Sequence, residues 1–297
     1  DPSNKPQFSV DGVNNDVGIL VNGSGDVTIR DIEIHTKPTS INPTDNPVNS
    51  QNSVRAALYL GGDQISPKVI KIDDVSCFDN VDRSAFKDEL NVEYTGIIVK
   101  NAQRAEINNI RLERFYSDGI SLFNVFTVNA NNLHIIRDGA RMRSGVVVGL
   151  ITTGTSYMEI NNLHAEGYYK GINVWPSNGL NVDQDTLVLR KAKFINNSGN
   201  MYYLTNVTEG NVILDSVEND GIDGVAFPVL ASLYANISNS SFTLMKRDPF
   251  LLYPQVLGAP SVVRTGTQTI NNSSIINHEY LPAEARDILT LQGFSLN

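Results

Sequence analysis

The chain has 297 residues, with 32 acidic against 23 basic side chains and a net charge of −9, which argues against wrapping nucleic acid or an anionic membrane. One cysteine excludes an intrachain disulfide and a cysteine-built zinc site, and four scattered histidines offer little for any other metal centre, so neither metal nor cofactor is expected. No apolar stretch reaches the about 20 residues that span a bilayer, and the start at Asp1-Pro2 reads as an excised or processed product.

One phrase recurs along the chain. It reads most clearly as Ala105-Glu106-Ile107-Asn108-Asn109-Ile110-Arg111-Leu112 and as Tyr157-Met158-Glu159-Ile160-Asn161-Asn162-Leu163-His164. Each is an apolar–polar alternation, interrupted by an Asn pair and resumed by an aliphatic residue. Weaker copies begin near Val27, Val69, Asn129, Leu187, Val212, Ala235 and Thr267. Copies recur every ~23 to ~43 residues, within or near the span that marks a solenoid.

A second phrase, usually a small residue followed by an apolar run, sits between the copies. It occurs at residues 18–21, 57–60, 96–99, 119–122, 145–148, 171–174, 201–204, 224–227 and 250–253. Period-two alternation with β-branched residues predicts strands, and sustained helical periodicity is absent before the C-terminus. Units of two or three short strands cannot bury a face alone, and stacking them in register solves that. The expected fold is all-β, a single-stranded right-handed parallel β-helix of nine or ten coils with a short C-terminal helix. The Asn or Asp at 31, 74, 109, 132, 162, 239 and 272 marks one turn of the coil, where a left-handed bend is tolerated and side-chain amides can form a ladder. Lys191 and Ser216 interrupt that ladder.

In chain order, residues 1–277 read as the helix, with loop insertions at 36–55 and 76–93, and residues 278–297 as a capping segment. The insertions leave from one turn, so they suit a binding face, a cover for the first coil or a subunit contact. Pro282, early acidic residues and Gly293 predict one short helix near the end, to cap the last coil or to pack at a subunit interface.

Residues 94–176 hold the densest chemistry. Short polar turns carry Asp118, then Asp138, Arg141 and Arg143, then Glu166, Tyr168, Tyr169 and Lys170, with His134, His164 and Trp175 at the margins. If the turns stack, Asp118 and Asp138 lie ~5 Å apart and Asp118 and Glu166 ~9.6 Å apart, near the retaining and inverting glycosidase separations. The same carboxylates also suit plain turn chemistry. Arg137, Arg141 and Arg143 suit either the carboxylates of an acidic sugar or neutralisation of Asp118, Asp138 and Glu166. Tyr168, Tyr169 and Trp175 suit stacking on sugar rings or the core. His134 and His164 read as surface residues beside the Asn ladder, and Lys170 with Tyr168 offers a base and acid for β-elimination.

The repeated phrase, the Gly-Ile-x-Val strands and the Ser117-Asp118-Gly119-Ile120 turn resemble the β-helical body of a bacteriophage tailspike, in the pectate-lyase-like superfamily, over about residues 8–277. The resemblance implies a homotrimer on a phage virion, acting outside the cell at the host surface. It implies that the protein binds and cleaves a bacterial capsular or O-antigen polysaccharide, by carboxylate-mediated hydrolysis or by lyase chemistry. The polygalacturonase paired-Asp and Gly-His-Gly signatures, the pectate-lyase Arg-x-Pro-x-x-Arg motif and the epimerase Asp-Pro-His-Glu motif are absent from this sequence. The site residues therefore rest on clustering: Asp118, Asp138 and Glu166 as the acid/base set, and Arg141, Arg143, Tyr168, Tyr169, Lys170, Trp175, His134 and His164 for substrate. A secreted enzyme, and a non-catalytic glycan adhesin or fibre shaft, are the alternatives.

Overall fold

A computed structural model describes residues 5–10, 17–36, 56–61, 66–80, 95–115, 118–137, 144–148, 157–167, 170–174, 186–195, 202–204, 211–222, 234–244, 268–280, 283–291 and 293–297. The described strands form one hydrogen-bonded system in which the pairings are parallel. They sort into three ladders.

The first ladder stacks β2 (Val17–Asn22), β4 (Ala56–Gly61), the start of β6 (Thr95–Glu113), the start of β7 (Ile120–Ile136), β8 (Ser144–Val148), β10 (Lys170–Val174) and β13 (Tyr202–Leu204). The second runs from the first half of β3 (Val27–Thr36) through β5 (Ser66–Asp79), β6, β7, β9 (Tyr157–Glu166), β11 (Thr186–Arg190), β14 (Asn211–Asp215) and β16 (Tyr234–Ser238) to β18 (Gln268–Asn271). The third runs from β1 (Gln7–Val10) through the second halves of β3, β5, β6, β7 and β9, then β12 (Lys193–Ile195), β15 (Glu218–Ile222), β17 (Ser241–Leu244) and β19 (Ser274–Ile276). One pass of the chain through the ladders is a rung. This is the solenoid-like, all-β parallel architecture that the repeats predict.

The bend between the second and third ladders falls on the expected residues. Asp31, Asp74, Asn109, Asn132, Asn162, Asn239 and Asn272 all have φ between 48° and 58°, and so do Lys191 and Ser216. Asn and Asp tolerate this left-handed region because their short side chains bond locally; Lys191 and Ser216 are held there by the register of their neighbours. Asn132 Nδ2 donates to Asn109 Oδ1 at 2.9 Å, and Asn162 Nδ2 donates to Asn132 Oδ1 at 3.1 Å. Asn109 Nδ2 turns to Asp73 rather than Asp74, and Asp74 accepts from the Lys5 ammonium. Past the interruption, Asp215 fills the gap left by Ser216 by accepting Asn239 Nδ2 at 3.0 Å, and Asn272 Nδ2 donates to Asn239 at 2.9 Å. A second left-handed corner, absent from the sequence reading, lies at Asn101 and Asn124, whose amides also bond, at 2.8 Å.

Asn132→Ala removes two amide bonds and leaves an alanine at φ 58°. Each partly solvated bond contributes about 0.5–1 kcal/mol, and the backbone conformation costs about 1–2 kcal/mol for an ordinary residue. Asn132→Ala is therefore expected to lower stability by about 2–3 kcal/mol in denaturant titrations. Asn132→Gly, free of the Cβ penalty, is expected to lose less, and an equal loss for both would exclude backbone strain as the cause.

Alternation places one side of the second and third ladders in a single core. Ile70, Ile72, Ile107, Leu112, Leu133, Ile135, Leu163, Leu189, Phe194, Leu214 and Phe242 are all buried within it. Gly96 is fixed by packing, because a Cβ there would lie 2.6 Å from the Gly119 carbonyl oxygen. At the far end, α1 (Ala283–Leu291) forms where the helix is predicted. It leads into β20 (Ser295–Leu296), which adds to the third ladder, with Phe294 edge-on to Phe242 at 6.2 Å.

Two boundaries move. Thr36 and Ser76–Asp79, placed in loop insertions by the sequence reading, belong to β3 and β5, and Ser76 pairs in register with Glu33 and Arg111. Residues 37–55 and 81–94 lie outside the described residues, as do 224–227 and 250–253 of the second phrase.

Candidate functional site on the third ladder

The alternate residues of the third ladder point outward in two columns. The first holds Ser76, Arg111, His134, His164, Lys193 and Glu218 in register. The second, two residues on, holds Phe78, Glu113, Ile136, Glu166 and Ile195.

Neighbouring columns pair ionically. Arg111 Nε donates to Glu113 Oε1 at 2.6 Å, and His164 Nε2 meets Glu166 Oε2 at 3.1 Å. Within the first column, Lys193 pairs with Glu218 at 3.2 Å. The His134 and His164 rings stack with centroids 4.8 Å apart, the spacing of adjacent strands. Lower on the face, the His35 ring stacks on Phe78 at 5.0 Å, and the Arg111 guanidinium lies 5.8 Å from the Phe78 centroid. Burial, then the neighbouring His164 and Arg111, hold the His134 imidazole below its ordinary pKa, with Glu113 and Glu166 opposing.

Glu113 and Glu166 occupy the same column two rungs apart, with Ile136 between them. At ~4.8 Å per strand their backbones are about 9.6 Å apart. Arg137 follows this face: its backbone N–H donates to the Glu166 carbonyl at 2.9 Å, and the residue is only 4% exposed.

Asp118 and Glu166 do not occupy equivalent positions, contrary to the stacked-turn expectation. Asp118 lies on the first ladder, two residues ahead of Ile120, and its carbonyl accepts the Gly96 N–H at 3.0 Å. Its carboxylate accepts the Ser121 hydroxyl at 3.1 Å. Asp118 and Glu113 thus flank one corner from opposite sides, so Glu113 is the register equivalent of Glu166. Lys170 opens β10 on the first ladder, paired in register with Ser144. Asp138, Arg141, Arg143, Tyr168, Tyr169 and Trp175 lie outside the described residues. The structure brings His134, His164 and Glu166 together.

Arg111, Glu113 and Lys193 escaped the sequence reading, although the signal was present. Counted from the bend residues Asn109, Asn132, Asn162 and Lys191, the first column is always two residues on and the second always four. Anchoring on the turns between phrases, whose lengths vary, loses that offset.

The second ladder carries another charged patch. Glu106 pairs with Lys71 at 3.0 Å and Arg104 at 3.1 Å. Glu159 accepts the Tyr157 hydroxyl at 2.8 Å and Arg190 Nε at 3.3 Å. The Tyr157 hydrogen bond, with Arg190 and Asn161, holds Glu159 below the usual carboxylate range against a smaller opposing effect of burial. Glu159 is therefore locked as an anion among its neighbours.

Among the described residues no group of three or more His, Cys, Asp or Glu side chains could hold a metal ion, and no helix is long and apolar enough to cross a membrane. Comparison of the chain with protein families, curated proteins and solved structures finds no match.

Proposed function

We propose that this chain is the right-handed β-helical body, of nine or ten coils, of a tailspike-type depolymerase. It binds and cleaves a bacterial capsular or O-antigen polysaccharide and works as a homotrimer on a phage virion at the host surface. The observation that carries the reading is the third-ladder face, where Glu113 and Glu166 stand two rungs apart in the column beside a stacked histidine pair, along the axis on which a linear glycan would lie.

A backbone separation of about 9.6 Å is just beyond the roughly 6.5–9.5 Å between carboxyl groups that leaves room for a water in inverting hydrolysis, a difference within the reach of two Glu side chains. Glu113, held by Arg111, activates that water. Glu166, beside His164, protonates the leaving oxygen. Asp118, on the far side of its corner, and Asp138 are further carboxylates within this reading. A lyase reading draws on the place of His134: burial, with His164 and Arg111 beside it, lowers its pKa and favours the neutral imidazole, which suits a base that removes a proton next to a uronate carboxylate.

A digest tests both. The protein is incubated with purified capsular and O-antigen polysaccharides, with chain length followed by gel filtration and unsaturated uronate by ultraviolet absorbance. Shortened chains without new absorbance are expected. Shortening with absorbance transfers the reading to the lyase. Binding with no shortening on any glycan overturns the enzyme reading in favour of an adhesin.

A further inference from the structure

Four side chains of cationic type stand one above another on the third ladder: Arg111, His134, His164 and Lys193. Three have a carboxylate partner, namely Glu113, Glu166 and Glu218. His134 differs. The residue two places on is Ile136, and among the described residues neither ring nitrogen takes part in a hydrogen bond. The groups facing it are Arg111 and Glu113 from β6 and His164 and Glu166 from β9.

The result is an imidazole whose charged form is disfavoured, half-buried between a guanidinium and a second imidazole. Charging it without a partner sets like charges one strand spacing apart, a cost that Glu113 and Glu166 offset only in part. An anion docked at that level would supply the missing partner to His134 and also face Arg111 and His164. Glycan axes lying along the ladder would bring pendant groups to this level.

We propose that His134 is an anion subsite that takes the carboxylate of an acidic sugar, and that docking is accompanied by uptake of one proton at its imidazole. The inference rests on the glycan-binding reading above and names the substrate class as acidic. The sign follows from linkage: in the free protein His134 holds its proton only at pH values below its ordinary range, while the occupied site holds it at higher pH. Affinity therefore rises as pH falls through that window, by up to about tenfold per pH unit.

The test is isothermal titration of the full chain with hexagalacturonate, maltohexaose and acetate at pH 5.5, 6.5 and 7.5, in two buffers of different ionisation enthalpy. The expected result is proton-linked binding of hexagalacturonate alone. His134→Gln is expected to weaken it about tenfold at pH 5.5 and to remove the linkage, whereas His134→Arg keeps the affinity and removes the linkage. Binding without proton uptake, equal linkage in His134→Gln, an equal response to acetate, or no binding of hexagalacturonate overturns the inference. Cleavage is not the readout, so the two readings fail separately. Depolymerisation of a neutral glycan with no uronate binding sinks this inference alone, and proton-linked uronate binding with no cleavage of any glycan sinks the enzyme alone.

Discussion

Gly167→Ala is expected to destabilise the fold by about 3–5 kcal/mol, placing it among the exceptional single substitutions. Gly167 closes the third ladder in the rung of β9 with φ +78°, and a Cβ there would lie 1.7 Å from the Arg137 carbonyl oxygen. The conformation alone costs about 1–2 kcal/mol for alanine. The overlap is with backbone, which cannot swing aside as a side-chain tip can. Relieving it must disturb the bond from Gly167 N–H to the Ile195 carbonyl, at 3.0 Å, or the neighbouring bond from Arg137 N–H to the Glu166 carbonyl, at 2.9 Å. Each lost bond removes about 0.5–1.5 kcal/mol. Gly25 is the control: nothing lies within 4 Å of a Cβ there, and its φ is ordinary. Gly25→Ala should stay within about 0.5 kcal/mol of the parent. Equal denaturation midpoints for the two variants would show that the corner yields freely.

Glu166→Gln and Glu113→Gln are expected to lower the turnover of a cleaved polysaccharide by about 10²- to 10⁴-fold each, with affinity changed only a few-fold. Gln keeps the shape and the hydrogen bonds but neither delivers nor accepts the proton. Because the two groups act in one step, the double variant should be little worse than either single one. Glu159→Gln, on the second ladder and locked by Tyr157 and Arg190, is expected to leave turnover unchanged. Asp118→Asn separates the two carboxylate sets. If it abolishes cleavage while Glu113→Gln does not, the chemistry belongs to the first-ladder side of the corner. Folding of each variant is checked by its denaturation midpoint, so a lost structure is not read as a lost catalyst.

The bend residues explain why so much of the fold was legible. Asn109, Asn132 and Asn162 recur because a left-handed corner strongly favours a few side chains, so the backbone requirement is written in residue type. Inward positions such as Ile107 and Leu163 are written likewise, since each must be apolar. The outward columns obey no such rule. Arg111, Lys193 and Glu218 share one column because solvent accepts any polar side chain, so nothing in residue type announces that they align. Glu113 ends a strand whose reach past the bend residue Asn109 nothing in residue type announces, and Asp118 matches Glu166 in turn order but not in register.

The sequence by itself determined an all-β parallel solenoid, its Asn corner and the absence of a cysteine-based centre, because alternation, αL tolerance and composition are local properties. Only the tertiary structure decided which charged residues meet. Loops between rungs vary in length, so spacing along the chain does not fix height on the stack. Hydrogen-bonded register does, and it set His134 on His164 and Glu113 in line with Glu166, while leaving Asp118 on another face.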